Sequence, residues 1–140
     1  MINAANHLAR AKGFRYYLKF HPSYKDDFFK DIVDQSHYLG NIRKGIDMID
    51  YANMIDFSIV GSSTVFTELI FLGHEVIRYS NQSIKDKYRD IKLGLTFSEP
   101  KQILDVYNRG NFEIGSLFDD LCSIREVRSS YQNFFSAFDV

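Results

Sequence analysis

The sequence predicts an α/β fold, a Rossmann-like three-layer α/β/α sandwich on a mostly parallel sheet. Short apolar runs of strand length alternate along the chain with segments whose apolar residues recur at helical spacing. Gly and Pro residues stand at several borders between these segments. The 140 residues, with 17 Lys and Arg against 18 Asp and Glu, fit one domain over 1–140 with a single core.

Before residue 54 the pattern alternates between helix and strand, over 4–12, 15–20, 25–35, 38–39 and 45–53. The first helix is expected to end at Gly13, since glycine adopts the left-handed backbone of a helix C-cap without steric cost. The run from Arg15 to Phe20 is rich in aromatic residues, which favour strands, and Pro22 stops it. The helix over 25–35 is expected to lay one apolar face on a sheet.

After residue 54 the expected strands are 57–60, 75–79 and 96–97, and the expected helices are 65–72, 99–108 and 117–138. The run Phe57-Ser58-Ile59-Val60 is short and apolar, as expected of a strand buried in a parallel sheet. It passes through Gly61-Ser62-Ser63-Thr64 directly into a helix that Gly73 closes. Strands that alternate with helices in this way are typical of parallel sheets covered on both faces.

The composition excludes several classes of protein. A net charge of −1 gives no broad basic surface of the kind that binds duplex nucleic acid. Cys122 is the only cysteine, which excludes a disulfide framework and fits a reducing, cytoplasmic location. No run approaches the roughly 20 apolar residues of a membrane span, and residues 1–10 lack the apolar centre of a signal peptide. The 13 Phe and 9 Tyr favour an aromatic contact surface for a partner domain.

The junction Gly61-Ser62-Ser63-Thr64 is the first candidate site. A helix begins with free backbone N–H groups and the positive end of its dipole, and the hydroxyls at this junction add donors, so it suits a phosphate. The alternative is that Ser62, Ser63 or Thr64 only caps the helix, which is the commoner role of such residues.

His21 is the second candidate. Pro22 fixes the exit of the chain from the preceding strand, so the imidazole is expected at the carboxyl edge of the sheet, where open α/β sheets bind ligands. An imidazole there donates to a phosphate oxygen or protonates a leaving group near neutral pH. The alternative is a histidine of a solvated loop.

Glu68 is the third candidate, one turn into the helix that follows the serine pair. Its carboxylate suits bidentate hydrogen bonds to a ribose diol; the alternative is a rim position paired with Lys or Arg. The remaining histidines, His7, His37 and His74, have no Cys, His or carboxylate at the spacing of a zinc site. We therefore expect no metal and no resident cofactor.

Three segments, taken in order, resemble a known family. Lys19-Phe20-His21-Pro22 is followed about forty residues later by the segment from Asp56 to Glu68, and then by Leu72-Gly73-His74-Glu75-Val76-Ile77. Over residues 15–108 the chain resembles the carboxyl-terminal, nucleotide-binding half of a GT-B glycosyltransferase. It is similar to the bacterial sialyltransferases and polysialyltransferases, with their His-Pro and Ser-Ser motifs, and to the CDP-glycerol glycerophosphotransferases of teichoic acid synthesis. Glu75 departs from the pattern, which usually has Pro there.

The resemblance implies roles for the three candidates. His21 matches the catalytic histidine that in such enzymes contacts the donor phosphate and helps the nucleotide to leave. Ser62 and Ser63 match the pair that binds this phosphate, in the turn that also contains Gly61 and Thr64. Glu68 matches the acidic residue that many of these enzymes place on the ribose.

The resemblance further implies a donor-nucleotide-binding domain of a transferase that moves a sugar or glycerol phosphate from a CMP-, CDP- or UDP-activated donor in cell-surface (capsule) polysaccharide synthesis. The general base and acceptor site of such enzymes lie in an amino-terminal domain. This chain is therefore expected to bind donor without turnover, as half of a two-domain enzyme associated with membrane machinery or as a separate domain. The alternatives are a regulatory nucleotide-binding module and a protein-interaction domain whose serine turn is only a cap.

Overall fold

A computed structural model of the chain describes residues 1–21, 23–24, 28–61, 63–81 and 95–110. The helices in these ranges are α1 (Ile2–Lys12), α2 (Met48–Met54), α3 (Val65–Phe71) and α4 (Ile103–Arg109), with a 3-10 turn at Pro100–Gln102. The strands are β1 (Tyr16–Leu18), β2 (Tyr38–Asn41), β3 (Phe57–Val60), β4 (Glu75–Tyr79) and β5 (Thr96–Phe97). β1 pairs with β2 in parallel, and β3, β4 and β5 form a second parallel sheet in that order. The α/β class with parallel sheets is confirmed.

The three strands of the second sheet have the bounds expected from the sequence, and Gly13 ends α1 with φ 72° as a C-cap. The helix expected over 45–53 begins later, at Met48, because the Asp47 side chain accepts a hydrogen bond from Ile49 N–H (2.8 Å) and caps α2 there. The helix expected over 117–138 lies outside the described residues.

The prediction of a helix over 25–35 is wrong for the residues of this segment that the structure describes, 28–35. Residues 28–32 form hydrogen-bonded turns in which Ile32 N–H and Val33 N–H both donate to Phe29 O. If the helix continued, Asp34 N–H would donate a hydrogen bond to the carbonyl four residues earlier. Asp34 N–H instead donates to side chains of other elements, Asn6 Oδ1 (3.0 Å) and Tyr16 Oη (3.1 Å).

Helices cover both faces of the second sheet, because successive side chains of β3 and β4 point to opposite sides. On one face, α1 and α4 pack on the sheet around Ala4, Leu8, Ile77, Phe97, Ile103 and Val106, with Phe57 and Ile59 beside them. On the other face, α2 and α3 pack around Ile42, Tyr51, Val60, Phe66, Leu69, Ile70 and Val76. The unit β3-α3-β4 is therefore a parallel βαβ element with a buried crossover helix.

The side chain of Asn6 connects α1 to the β1-β2 pair. It is 7 % exposed and makes hydrogen bonds in two directions. Its amide donates to Ile32 O (2.7 Å), and its Oδ1 accepts from Tyr16 Oη and from Asp34 N–H. Since Ala4 and Leu8 of the same helix lie in the core of the other sheet, Asn6 joins the two halves of the molecule.

We expect Asn6→Ala to lower the free energy of unfolding by about 2–3 kcal/mol, because Ile32 O and Asp34 N–H lose a buried partner. Chemical denaturation followed by circular dichroism measures the change. Asn3→Ala is the matched control, since Asn3 lies exposed on the same helix. Equal stabilities of the two variants would contradict this role for Asn6.

Candidate functional site

Contacts at the two ends of α1 indicate how β1 and β3 are oriented relative to each other. Met1 Sδ lies 3.4 Å from the place where a Cβ on Gly61 would stand, just past the carboxyl end of β3. At the other end of the helix, the ring of Phe14 lies 5.8 Å from that of Phe57, the first residue of β3. The helix therefore runs antiparallel to β3. The chain then reverses at Gly13 and enters β1, which supports the expectation that β1 and β3 end at the same edge.

His21 lies three residues beyond the end of β1, and its side chain is exposed. Its Nδ1 lies 2.7 Å from Ser23 Oγ and 3.3 Å from Ser23 N. A backbone N–H only donates, so Nδ1 is the acceptor and the neutral ring carries its proton on Nε2. This nitrogen has no partner among the described residues. His21 therefore presents an N–H donor to solvent.

The turn after β3 brings Gly61, Ser63 and Thr64 to the start of α3, as expected, whereas Ser62 lies outside the described residues. Thr64 already has helical dihedral angles, and Ser63 Oγ accepts from Val65 N–H at 3.3 Å. Ser63, one residue before the N-cap Thr64, thus accepts from an N–H of the first turn as a capping side chain does. Within the described part of the chain, Thr64 N–H has no acceptor, and Thr64 is exposed.

Glu68 is half-buried in the first turn of α3. Phe66, Leu69 and Ile70 fill the buried side of this helix, while Glu68 is four residues from both Thr64 and Leu72, which are exposed. The carboxylate therefore lies toward the outer stripe of the helix. It makes no ion pair or hydrogen bond with the described residues, so the expected alternative of a pairing with Lys or Arg is not found there.

Arg78 is a buried charge that sequence reasoning missed. It is 3 % exposed, pairs in register with Val60, and holds its Cζ 5.6 Å from the centre of the Phe66 ring. Val60 is the residue before the Gly61 turn, so this guanidinium lies near that end of the sheet on the α3 side. The available signal was an arginine inside the otherwise β-rich run 75–79.

A buried polar chain on the same face was also missed. Tyr51 Oη lies 3.1 Å from Ser58 Oγ, which lies 3.0 Å from His74 Nε2. The three residues are 8 %, 4 % and 8 % exposed, so a substrate does not reach them. The chain holds α2 and the start of β4 on β3. Ser58, the hydroxyl within an apolar run, was the available signal, because a buried hydroxyl needs a partner.

Burial lowers the pKa of His74 below that of a free imidazole, although the negative charge of Asp56 acts in the opposite direction. Burial likewise raises the pKa of Tyr51, against the effect of its hydrogen bond with Ser58. Both side chains are thus held in their uncharged forms near neutral pH.

No group of His, Cys, Asp and Glu suited to a metal ion is found among the described residues. Within the same ranges, no helix combines the length and apolar character needed to cross a bilayer. No family model, no curated protein and no solved structure matches this chain. The resemblance described above therefore stays a prediction.

The lowered pKa of His74 predicts a loss of stability in mild acid. The pKa of His74 is lower in the folded chain than in the unfolded chain, so at pH values between the two the unfolded chain binds more protons. The free energy of unfolding therefore falls as the pH drops below about 6.5. We expect His74→Gln to flatten this dependence between about pH 7.5 and 5.5. Tyr51→Phe, the control, should lower stability at every pH and keep the slope. Thermal unfolding across this range measures both, and an unchanged slope in His74→Gln would contradict the assignment.

Proposed function

We propose that this chain is a donor-nucleotide-binding domain of a GT-B-type transferase, with a Rossmann-like arrangement of its parallel strands. The observation that carries the proposal is the outward-facing Nε2–H of His21, held by Ser23 at the end of β1. A fixed imidazole donor at the carboxyl edge of a parallel sheet is suited to a phosphate oxygen. The donor is a CMP-, CDP- or UDP-activated sugar or polyol, and the site of action is the cytoplasm.

The turn after β3 supplies further donors for the same phosphate. Thr64 N–H has no acceptor in the described part of the chain, and the Ser63 hydroxyl can donate its own hydrogen while it accepts from Val65 N–H. The buried guanidinium of Arg78 adds positive charge near this end of the sheet, on the face that α3 covers. Capping by Ser63 and binding by Ser63 are therefore compatible.

The proposed chemistry needs no metal. As the donor bond breaks, negative charge develops on the departing phosphate, and donors already aimed at it stabilise the transition state more than the ground state. His21 would donate from Nε2, or transfer a proton when its ring is charged. Ser62 shares the phosphate with Ser63 in this proposal, and Glu68 accepts from the ribose hydroxyls. Transfer itself requires a second domain that supplies the base and the acceptor.

A protein-interaction domain is the second candidate. The bond from Val65 N–H to Ser63 Oγ is what a cap alone would make, and Tyr17, Tyr24 and Phe28 are 41 %, 54 % and 53 % exposed. A thermal-shift panel of CMP, CDP, UMP, UDP and GDP separates the two, since a ligand that binds only the folded state raises the melting temperature. No shift with any nucleotide would favour the interaction domain.

Ser63→Ala should weaken binding of the preferred nucleotide by about tenfold, because one charge-assisted hydrogen bond to phosphate is lost. The domain should lose only about 1 kcal/mol of stability, as expected for a helix cap. Calorimetric titration measures the affinity. Ser98→Ala removes an exposed hydroxyl after β5 and is the control. Equal affinities of both variants and the unchanged chain would refute binding at this turn.

Glu68→Gln should weaken ribonucleotides several-fold and leave the affinity for inorganic phosphate unchanged, since only contacts with the diol are altered. Comparing CMP with its 2′-deoxy analogue in the same titration isolates the contact. Glu75→Gln is the control, because Glu75 begins β4 at the opposite edge of the sheet. Loss of phosphate binding in Glu68→Gln, or equal losses for the two nucleotides, would exclude the ribose contact.

A further inference from the structure

A depression of about 290 Å³ lies at the carboxyl ends of β1 and β2, lined by Phe20, Asn41, Ile42, Arg43 and Lys44. Two of these lining residues, Arg43 and Lys44, are basic, and none of them is acidic. The chain as a whole has a net charge of −1. Two basic side chains and no carboxylate in the lining favour an anion at this depression.

Hydrogen bonds hold together the two segments, after β1 and after β2, that line the depression. Ile42 N–H donates to Leu18 O (2.8 Å), which continues the pairing of β2 with β1 past its last register pair. Lys44 Nζ donates to Tyr24 O (3.3 Å), and Tyr24 N–H donates to His21 O (2.9 Å). The basic segment after β2 is therefore joined to the turn that contains His21.

The polar groups of the depression are suited to an oxyanion. Arg43 is exposed, and its guanidinium makes no hydrogen bond or ion pair with the residues that the structure describes. A guanidinium offers paired N–H donors that match a carboxylate or phosphate. Asn41 Oδ1 accepts from Tyr38 Oη, so the amide of Asn41 presents its NH₂ as a further donor.

Phe20 adds an apolar wall that its neighbours keep in place. Its ring centre lies 4.8 Å from that of Phe29, 5.7 Å from Phe28 and 6.3 Å from Tyr24. An aromatic ring fixed by three others offers a flat surface at little cost in side-chain entropy. A donor group and a flat apolar surface thus meet in one depression.

We propose that this depression binds a carboxylate or phosphate carried on a flat aromatic group, with the oxyanion on Arg43 and Asn41 and the flat group against Phe20. The site differs from the proposed phosphate turn, whose residues follow β3, although it adjoins the turn that contains His21. Lys44 supplies further positive charge at its rim.

Nuclear magnetic resonance titration with phenyl phosphate, benzoate and inorganic phosphate tests the proposal. We expect saturable shifts of the amide signals of residues 41–45 with phenyl phosphate or benzoate, below about 10 mM. Whichever of the two binds more tightly identifies the oxyanion. Inorganic phosphate should bind at least about fivefold more weakly than phenyl phosphate, because it lacks the ring. Absence of saturable shifts, or equal affinities with and without the ring, would overturn the proposal.

Variants locate the binding groups. Arg43→Gln should weaken the tighter probe by about tenfold, whereas Lys101→Gln, a change at an exposed lysine on the 3-10 turn, should leave its affinity within about twofold. Arg43 is exposed, so the fold should persist, and the unperturbed amide spectrum checks this. Equal affinities of the two variants would refute the role of Arg43.

Nucleotide-induced shifts at residues 61 and 63–65 report separately on the proposed function, so either site can fail without the other.

Discussion

The position of α1 is the constraint on which the rest of the structure depends, and the buried amide of Asn6 sets it. One side of the helix contributes Ala4 and Leu8 to the core of the second sheet, while Asn6 binds Tyr16, Ile32 and Asp34. A hydrophobic face alone tolerates rotation and sliding, since its attraction has no direction. Hydrogen bonds to a buried amide do have direction, so Asn6 determines where β1 begins relative to β3. The relation between His21 and the Gly61 turn follows from that placement.

The sequence predicted the bounds of the β3-α3-β4 unit to within one residue, because local and tertiary preferences agree there. An apolar run of strand length, a polar turn and a helix with a largely apolar pattern all have the same interpretation. The segment 25–35 was mispredicted for the opposite reason. Its apolar spacing is helical, but Asn6 and Tyr16, which are 28 and 18 residues from Asp34, accept the hydrogen bond of its N–H. A competitor from a distant element is invisible to a local pattern.

The residues of the candidate site also divide into those that the sequence predicted and those that it missed. His21, Ser63 and Glu68 were predicted from their places after a strand or at a helix start, and the structure puts them in those elements. Arg78 and the chain of Tyr51, Ser58 and His74 were missed. Their partners come from different elements, so no spacing along the chain reports them. A polar residue within an apolar run signals that a partner exists without identifying it.

Net charge and local charge lead to different expectations for this protein. A total of −1 excludes a broad basic surface, but exposed charges act over only about 8 Å at physiological ionic strength. An anion in the depression after β1 and β2 therefore responds to Arg43 and Lys44 of its lining more than to charges on distant parts of the chain. Lys44 Nζ donates to Tyr24 O, so its charge lies at the turn that contains the proposed donor imidazole. Positive potential at this edge favours a phosphate on His21 whether or not the depression itself is filled.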